Sequence, residues 1–196
     1  MDPTMLILAS ASPRRKLLLE QIGLSFEIHP SQVPEPDYTA GDPVEYAIGL
    51  ADLKAAEISL QFPTALVVGA DTIVVVDDRV LGKPLDAASA KNMLELLSHR
   101  THQVITAYCF RLRSRGIRQS HHVLTQVRFK KLHETEIDDY IRSGAPFDKA
   151  GAYGIQDYSG IFVDHIEGCF YNVVGFPLSD FNSRLSDLLQ EYQLKL

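Results

Sequence analysis

Apolar residues along this chain come in two rhythms. Unbroken apolar runs bounded by small or polar residues alternate with stretches in which they recur at helical spacing. The first rhythm predicts buried strands and the second amphipathic helices. Met5–Ala9 (MLILA) predicts a short buried strand. A helix follows it: Ser12 can cap, Pro13 suits the first helical position, Leu17, Leu18 and Ile22 make an apolar stripe, and Gly23 ends it. Phe26–His29 predicts a second strand, and Pro30–Asp42, rich in proline and acids, an exposed loop. A second helix opens at Asp42-Pro43, with Glu45 placed as in a capping box, and runs to about Leu60.

Ala65–Val76 is a strong strand, and Asp77-Asp78 turns it into Val80-Leu81. Asp86 caps a third helix, Ala87–Leu97. Two long strands follow, Gln103–Arg113 and Gln119–Phe129, joined around Arg115-Gly116. Glu134–Ser143 is a short helix, Gly160–Val163 and Phe170–Val174 read as hairpin strands around Gly168, and a last helix runs from Pro177 to about Tyr192. Helices and strands alternate before a long hairpin intervenes. The class is therefore α/β with a mixed sheet and flanking helices, in a single domain over residues 1–196.

Composition narrows the function. With 45% hydrophobic and 22% charged residues, the chain is an ordinary globular one with a full core. Its net charge of −6 argues against broad nucleic-acid binding, which needs clustered positive charge. A small anionic ligand remains compatible, because a few local cations can hold it. Two cysteines, Cys109 and Cys169, exclude a disulfide framework and point to a reducing compartment, the cytoplasm. The Met5–Ala9 run is too short for a signal-peptide core or a membrane span, so no membrane partner is expected.

Three local features go against ordinary folding rules, and such breaks tend to mark sites. In Ser10-Ala11-Ser12-Pro13-Arg14-Arg15, hydroxyls, free N–H groups and two guanidinium groups meet at a helix start, where cations are unfavourable. This is either an anion site or a solvated turn. Asp71 interrupts LVVGADTIVVV; a carboxylate among so many apolar residues is a structural ion pair, a cap, a metal ligand or a catalytic group. Gly69 before it permits close approach of a ligand or of another backbone. Lys83, in the Gly/Pro-fixed turn Leu81–Pro84, can aim an ammonium at phosphate, although no GxxxxGK[ST] motif is present. Lys54 in LADLKAA is either solvated or a ligand. The histidines at 99, 102, 121 and 122 match no common zinc spacing, and Ser10 and Ser12 lie in no GxSxG elbow.

In order along the chain, LILASASPRRKLLLEQIG, Glu35, LADLKA, VVGADTIVVVDDRVLGKP, THQVITA, DKAGAYGIQ and NVVGFPL together resemble the Maf family, the septum-formation-inhibitor-like nucleotide pyrophosphatases. The resemblance extends from Leu6 to about Leu188. It implies a mixed α/β fold of two lobes around a deep cleft, similar to the inosine triphosphatase (Ham1) architecture. It also implies hydrolysis of a nucleoside triphosphate between its α and β phosphates, a divalent cation (Mg²⁺ or Mn²⁺) and a homodimer. DKAGAYGIQ resembles the branch acting on dTTP and UTP, where a housecleaning role extends to modified pyrimidine nucleotides. Arg14, Thr72 and Gln156 hold the positions associated with substrate choice.

By the same resemblance Asp71 is the proton acceptor for the attacking water or holds the metal that activates it, and Glu35 is the second carboxylate. Ser10, Arg14, Arg15, Lys54 and Lys83 bind the triphosphate. The donor and acceptor of Gln156 suit the imide edge of uracil or thymine. Two departures stand out: Ser98-His99 replaces a Ser-Gly, and Pro34 replaces an acid beside Glu35. The alternatives are a pyrophosphatase for 7-methyl-GTP and a nucleotide-dependent binding protein that inhibits septum formation.

Overall fold

The computed structural model describes residues 3–196, and its main helices begin where short polar side chains take up orphan backbone N–H groups. At the head of α1 (Pro13–Gln21), Ser12 accepts from the Arg15 N–H, with Pro13 in the first turn. At the head of α2 (Pro43–Gln61), Asp42 accepts from the Val44 N–H. Asp86 and Ser89 form a reciprocal capping box at the head of α3 (Ala87–Leu97). Three further helices follow, α4 (Glu134–Arg142), α5 (Phe170–Val174) and α6 (Leu178–Glu191).

The strands are β1 (Leu6–Leu8), β2 (Glu27–Ile28), β3 (Leu66–Val76), β4 (Arg79–Leu81), β5 (Thr101–Leu112), β6 (Ile117–Phe129) and β7 (Val163–Glu167). They form one mixed sheet in the order β2-β1-β3-β5-β6-β7, with β4 paired to β3. β1 is parallel to β2 and β3; the β3–β4 and β6–β7 pairs are antiparallel. This is the mixed-sheet α/β class that the alternation of elements predicts.

The chain divides into two compact units, Met1–Asp71 with Thr106–Val123 and Gly175–Leu196, and Thr72–Ile105 with Leu124–Val174. In the first, Ile7, Leu8, Leu66 and Val67 are buried, and α2 faces inward with Ala47, Leu50, Ala51, Ala55 and Ile58. The small residues let α2 lie close on β3 at Gly69, beside the Ala51 carbonyl and Ala55. The helix is also tied to β5 and β6 by Asp52, which accepts from Arg111, Arg118 and the Cys109 thiol. Burial pushes the Asp52 carboxyl up, but those bonds override it and hold its pKa at about 2. The second unit packs Val74, Leu94, Val104, Phe129, Tyr140 and Phe162 in its core.

The Asp77-Asp78 turn is as the sequence predicts. Both residues have positive φ (47° and 60°), the geometry of a two-residue hairpin turn whose twist matches its strands. Two expectations fail. Of the expected α1 stripe Leu18 is buried, but Leu17 is 63% exposed, and Arg15 and Leu19 are buried beside Leu18. The inward guanidinium of Arg15 turns the helix about its axis. Phe170–Val174 is helix rather than strand, and the hairpin around Gly168 is absent; β7 begins after a short 3-10 turn, Tyr158–Phe162. Asn172 accounts for the change. Its fully buried amide donates to the Val104 carbonyl and the Thr125 hydroxyl, so a polar anchor overrides the β-propensity of FYNVV.

His99 adopts a left-handed backbone, φ 59°, at the position where the sequence departs from Ser-Gly. A side chain in that region costs on the order of 1 kcal/mol, which glycine avoids. His99→Gly is therefore expected to raise the melting temperature by about 2–4 °C, whereas His99→Ala, which keeps the strain, gains nothing. Thermal unfolding of the two variants side by side checks this.

Candidate active site

β3 is buried along its length except at two adjacent residues, Asp71 and Thr72. Asp71 accepts from Lys54 Nζ at 2.6 Å. Lys54 stands three positions after Ala51 on α2 and so shares the helix face that Ala51 turns toward β3. The same ammonium lies 2.8 Å from Glu35 Oε1. Lys54 and Asp71 are 12% and 13% exposed at their side chains and Glu35 is 52% exposed, so the group is open to solvent on the Glu35 side. Two carboxylates thus converge on one ammonium.

Behind them lies Arg15. Burial pulls its pKa down, and Asp71 then Glu35 oppose that shift while Arg14 adds to it. Its guanidinium donates to the Ala70 carbonyl, next to Asp71, and to Ser10 Oγ, both at 3.0 Å, and to the Gly175 carbonyl at 3.0 Å. A cation at a helix start is unfavourable in isolation. Here its neighbours are two carboxylates, two carbonyls and a hydroxyl, so the charge is well placed. Ser10 is itself buried and accepts from the Ser12 N–H as well. Arg14 is half-buried.

These side chains suit one class of metal. Among the described residues, no cluster of three or more His, Cys, Asp or Glu could hold an ion unaided. Asp71 and Glu35 offer hard oxygen donors no further apart than two hydrogen-bond lengths across Lys54. A magnesium-like cation characteristically takes one or two carboxylates and completes its shell with water and substrate phosphate, so the pair fits it.

In the second unit Lys83 is exposed in the turn after β4. The Gly82 carbonyl accepts from the Gly151 N–H at 3.0 Å, which ties that turn to DKAGAYGIQ. Gly151 has φ 66°, and a Cβ there would press on Val74 at 3.0 Å. Gln156 is exposed in the turn closed by the Asp157 N–H on the Gly154 carbonyl. Thr72, the second partly exposed residue of β3, belongs to this unit.

The structure thus brings together Ser10, Arg15, Lys54, Asp71 and Glu35, and separately links the Lys83 turn to the segment carrying Gln156. It also adds supports to which residue patterns assigned no such role. Lys149, 12% exposed, reaches Asp148 at 2.6 Å, Asp157 at 3.2 Å and the Ala145 carbonyl. Its stem lies against Gly154, so it braces the Gln156 turn on both sides. His102, 2% exposed, bonds the Tyr153 hydroxyl at 2.8 Å. Burial pulls its pKa down to about 4, which makes it a neutral structural ring at pH 7. The sequence signals were membership of DKAGAYGIQ for Lys149, and for His102 membership of THQVITA and a histidine spacing that fits no zinc site.

A family model described as "Maf-like protein" matches residues 5–188. A dTTP/UTP pyrophosphatase of Ruminiclostridium cellulolyticum is 44% identical over 97% of each chain. One of Thermococcus gammatolerans is 48% identical over 89% of this chain and 91% of its own. In three dimensions the fold is similar to a HAM1 protein from Coxiella burnetii, with a TM-score of 0.51 at 16% identity, covering 94% of this chain and 99% of that one.

Proposed function

The chain belongs to the Maf family, and on that premise we propose that it hydrolyses dTTP and UTP to the monophosphate and pyrophosphate. The observation that carries this reading is Asp71, the carboxylate that breaks a buried strand and shares one ammonium with Glu35. Water attacks the α-phosphorus, its proton passes to Asp71, and the bond from that phosphorus to the bridging oxygen breaks, so that pyrophosphate leaves. Ser10, Arg14 and Lys83 bind the triphosphate and meet the charge that develops on the leaving group. Arg15, already bonded to Ser10 and Ala70, contributes its positive field from behind. Lys54 holds the two carboxylates in place until substrate arrives.

Asp71 and Glu35 would hold a divalent cation, Mg²⁺ or Mn²⁺, which would supply Lewis-acid polarisation of the substrate phosphate. Two carboxylates and a triphosphate would otherwise outweigh the local cations. Gln156 reads the imide edge of the base through one donor and one acceptor, with Thr72 and Arg14 beside the substrate. The reaction is cytoplasmic; the free thiols Cys109 and Cys169 agree with a reducing compartment, and no helix among the described residues is long and apolar enough to cross a membrane.

Pyrophosphate release from dTTP, UTP, CTP, GTP, 7-methyl-GTP and modified uridines, with Mg²⁺, Mn²⁺ or EDTA, tests the proposal. Turnover of dTTP and UTP that EDTA abolishes is the expected result. Turnover confined to 7-methyl-GTP would retain the chemistry and refute the role given to Gln156. Turnover of nothing by the folded protein would refute the enzyme.

A further inference from the structure

Glu35 sits in irregular backbone, residues 29–42, yet its carboxylate meets Lys54 at 2.8 Å. Something must hold a half-exposed acid on a loop to that accuracy. Two side chains of α2 grip the loop on either side of it. The Glu57 carboxylate accepts from the Gln32 N–H at 2.9 Å, the Val33 N–H at 3.1 Å and the Ser31 hydroxyl. The Tyr46 hydroxyl donates to the Pro36 carbonyl at 2.9 Å, and its ring meets the edge of Tyr38, whose own hydroxyl closes the loop on Gly41. Tyr46 and Glu57 lie about three turns apart on one face of α2, at 3.6 residues per turn, with Lys54 between them.

We infer that Glu57 and Tyr46 are positioning residues that clamp the Ser31–Pro36 segment to α2 and so set Glu35 against Lys54 and Asp71. Helix, ammonium and both carboxylates thereby form one pre-organised frame. Pro34 and Pro36 contribute, since a residue before proline is confined to extended backbone and Glu35 is such a residue. Fixing the amides at 32 and 33 and the carbonyl at 36 then leaves Glu35 little freedom except in its side chain. The Glu57 carboxyl is held below its usual range, the Ser31 hydroxyl contributing most. The inference deepens the metal-assisted reading of the site and rests on it for the role of Glu35.

The test reads metal binding and loop protection without turnover. Mn²⁺ affinity is measured by electron paramagnetic resonance, with and without an α,β-imido uridine triphosphate, for wild type, Glu57→Ala, Tyr46→Phe, Glu35→Gln and the Glu35→Gln/Glu57→Ala pair. Amide exchange at Gln32 and Val33 is followed in parallel. Glu57→Ala should weaken Mn²⁺ binding about tenfold, as loss of a group that orients a metal ligand does, and should speed exchange at both amides. Tyr46→Phe, which removes one oxygen, should weaken Mn²⁺ binding in the same direction. In the Glu35→Gln background Glu57→Ala should cost nothing further, because the clamp acts only through Glu35. Faster exchange with unchanged Mn²⁺ affinity would overturn the proposal, as would an equal loss in both backgrounds or absence of Mn²⁺ binding by wild type. Failure of the enzymatic reading is seen separately, as absence of pyrophosphate release by the same wild-type preparation.

Discussion

Asp71→Asn will lower kcat for dTTP and UTP by about 10²–10⁴-fold, the range that a positioned proton acceptor supplies. The asparagine is the same size and its carbonyl still accepts from Lys54, which also keeps its contact with Glu35 at 2.8 Å. The frame therefore survives, while the proton acceptor and one of the two carboxylates assigned to the divalent cation are lost together. The nucleotide KM should change little, because binding rests on the cations. A melting temperature within a few degrees of wild type completes the expectation. If Asp71→Asn retained more than about a tenth of the wild-type kcat, Asp71 would be only a structural partner of Lys54.

Gly69→Ala will be the most destabilising of the conservative glycine replacements. An ideal Cβ at Gly69 stands 2.2 Å from the Ala51 carbonyl oxygen, 2.6 Å from the Ala55 nitrogen and 2.9 Å from the Ala55 Cβ. Two of those atoms are helix backbone and cannot swing aside, so α2 must lift from β3. Overpacking of this kind costs about 3 kcal/mol or more, a fall in melting temperature of roughly 10 °C for a chain of this size. The lift also parts Lys54 from Asp71, so activity should fall even at temperatures where the variant is folded. Gly49→Ala is the control. It lies on the same helix with nothing within 4 Å of its Cβ, and should stabilise by about 0.5–1 kcal/mol through helix propensity. Equal melting temperatures for the two variants would refute close packing of α2 on β3 at Gly69.

Gly69 also illustrates how far residues can be read before the fold is known. Its presence before Asp71 signals close approach, of a ligand or of another backbone, and the two cannot be distinguished along the chain. The tertiary structure decides for backbone, because α2 arrives there from residues 51–55. Asp71 was legible for a related reason. A charge amid apolar neighbours violates a local rule, and the violation is visible without coordinates. Glu35 carries no such mark in an acidic loop, and only the resemblance of the whole chain singled it out.

Local chemistry, by itself, determined most of the elements. Caps at Ser12, Asp42 and Asp86, the Asp77-Asp78 turn and the long apolar run of β3 act over a few residues, so their outcome is written in the neighbouring sequence. The tertiary structure alone decided where distant partners outbid local preference. Asn172, drawn to Val104 and Thr125, turned an apparent strand into α5, and Arg15, drawn to Ala70 and Gly175, turned the buried face of α1. The clamps of Glu57 and Tyr46 and the brace of Lys149 are of the same kind. Each is a polar side chain whose partner is set by packing, and buried or convergent polar groups must find a partner wherever the chain brings one.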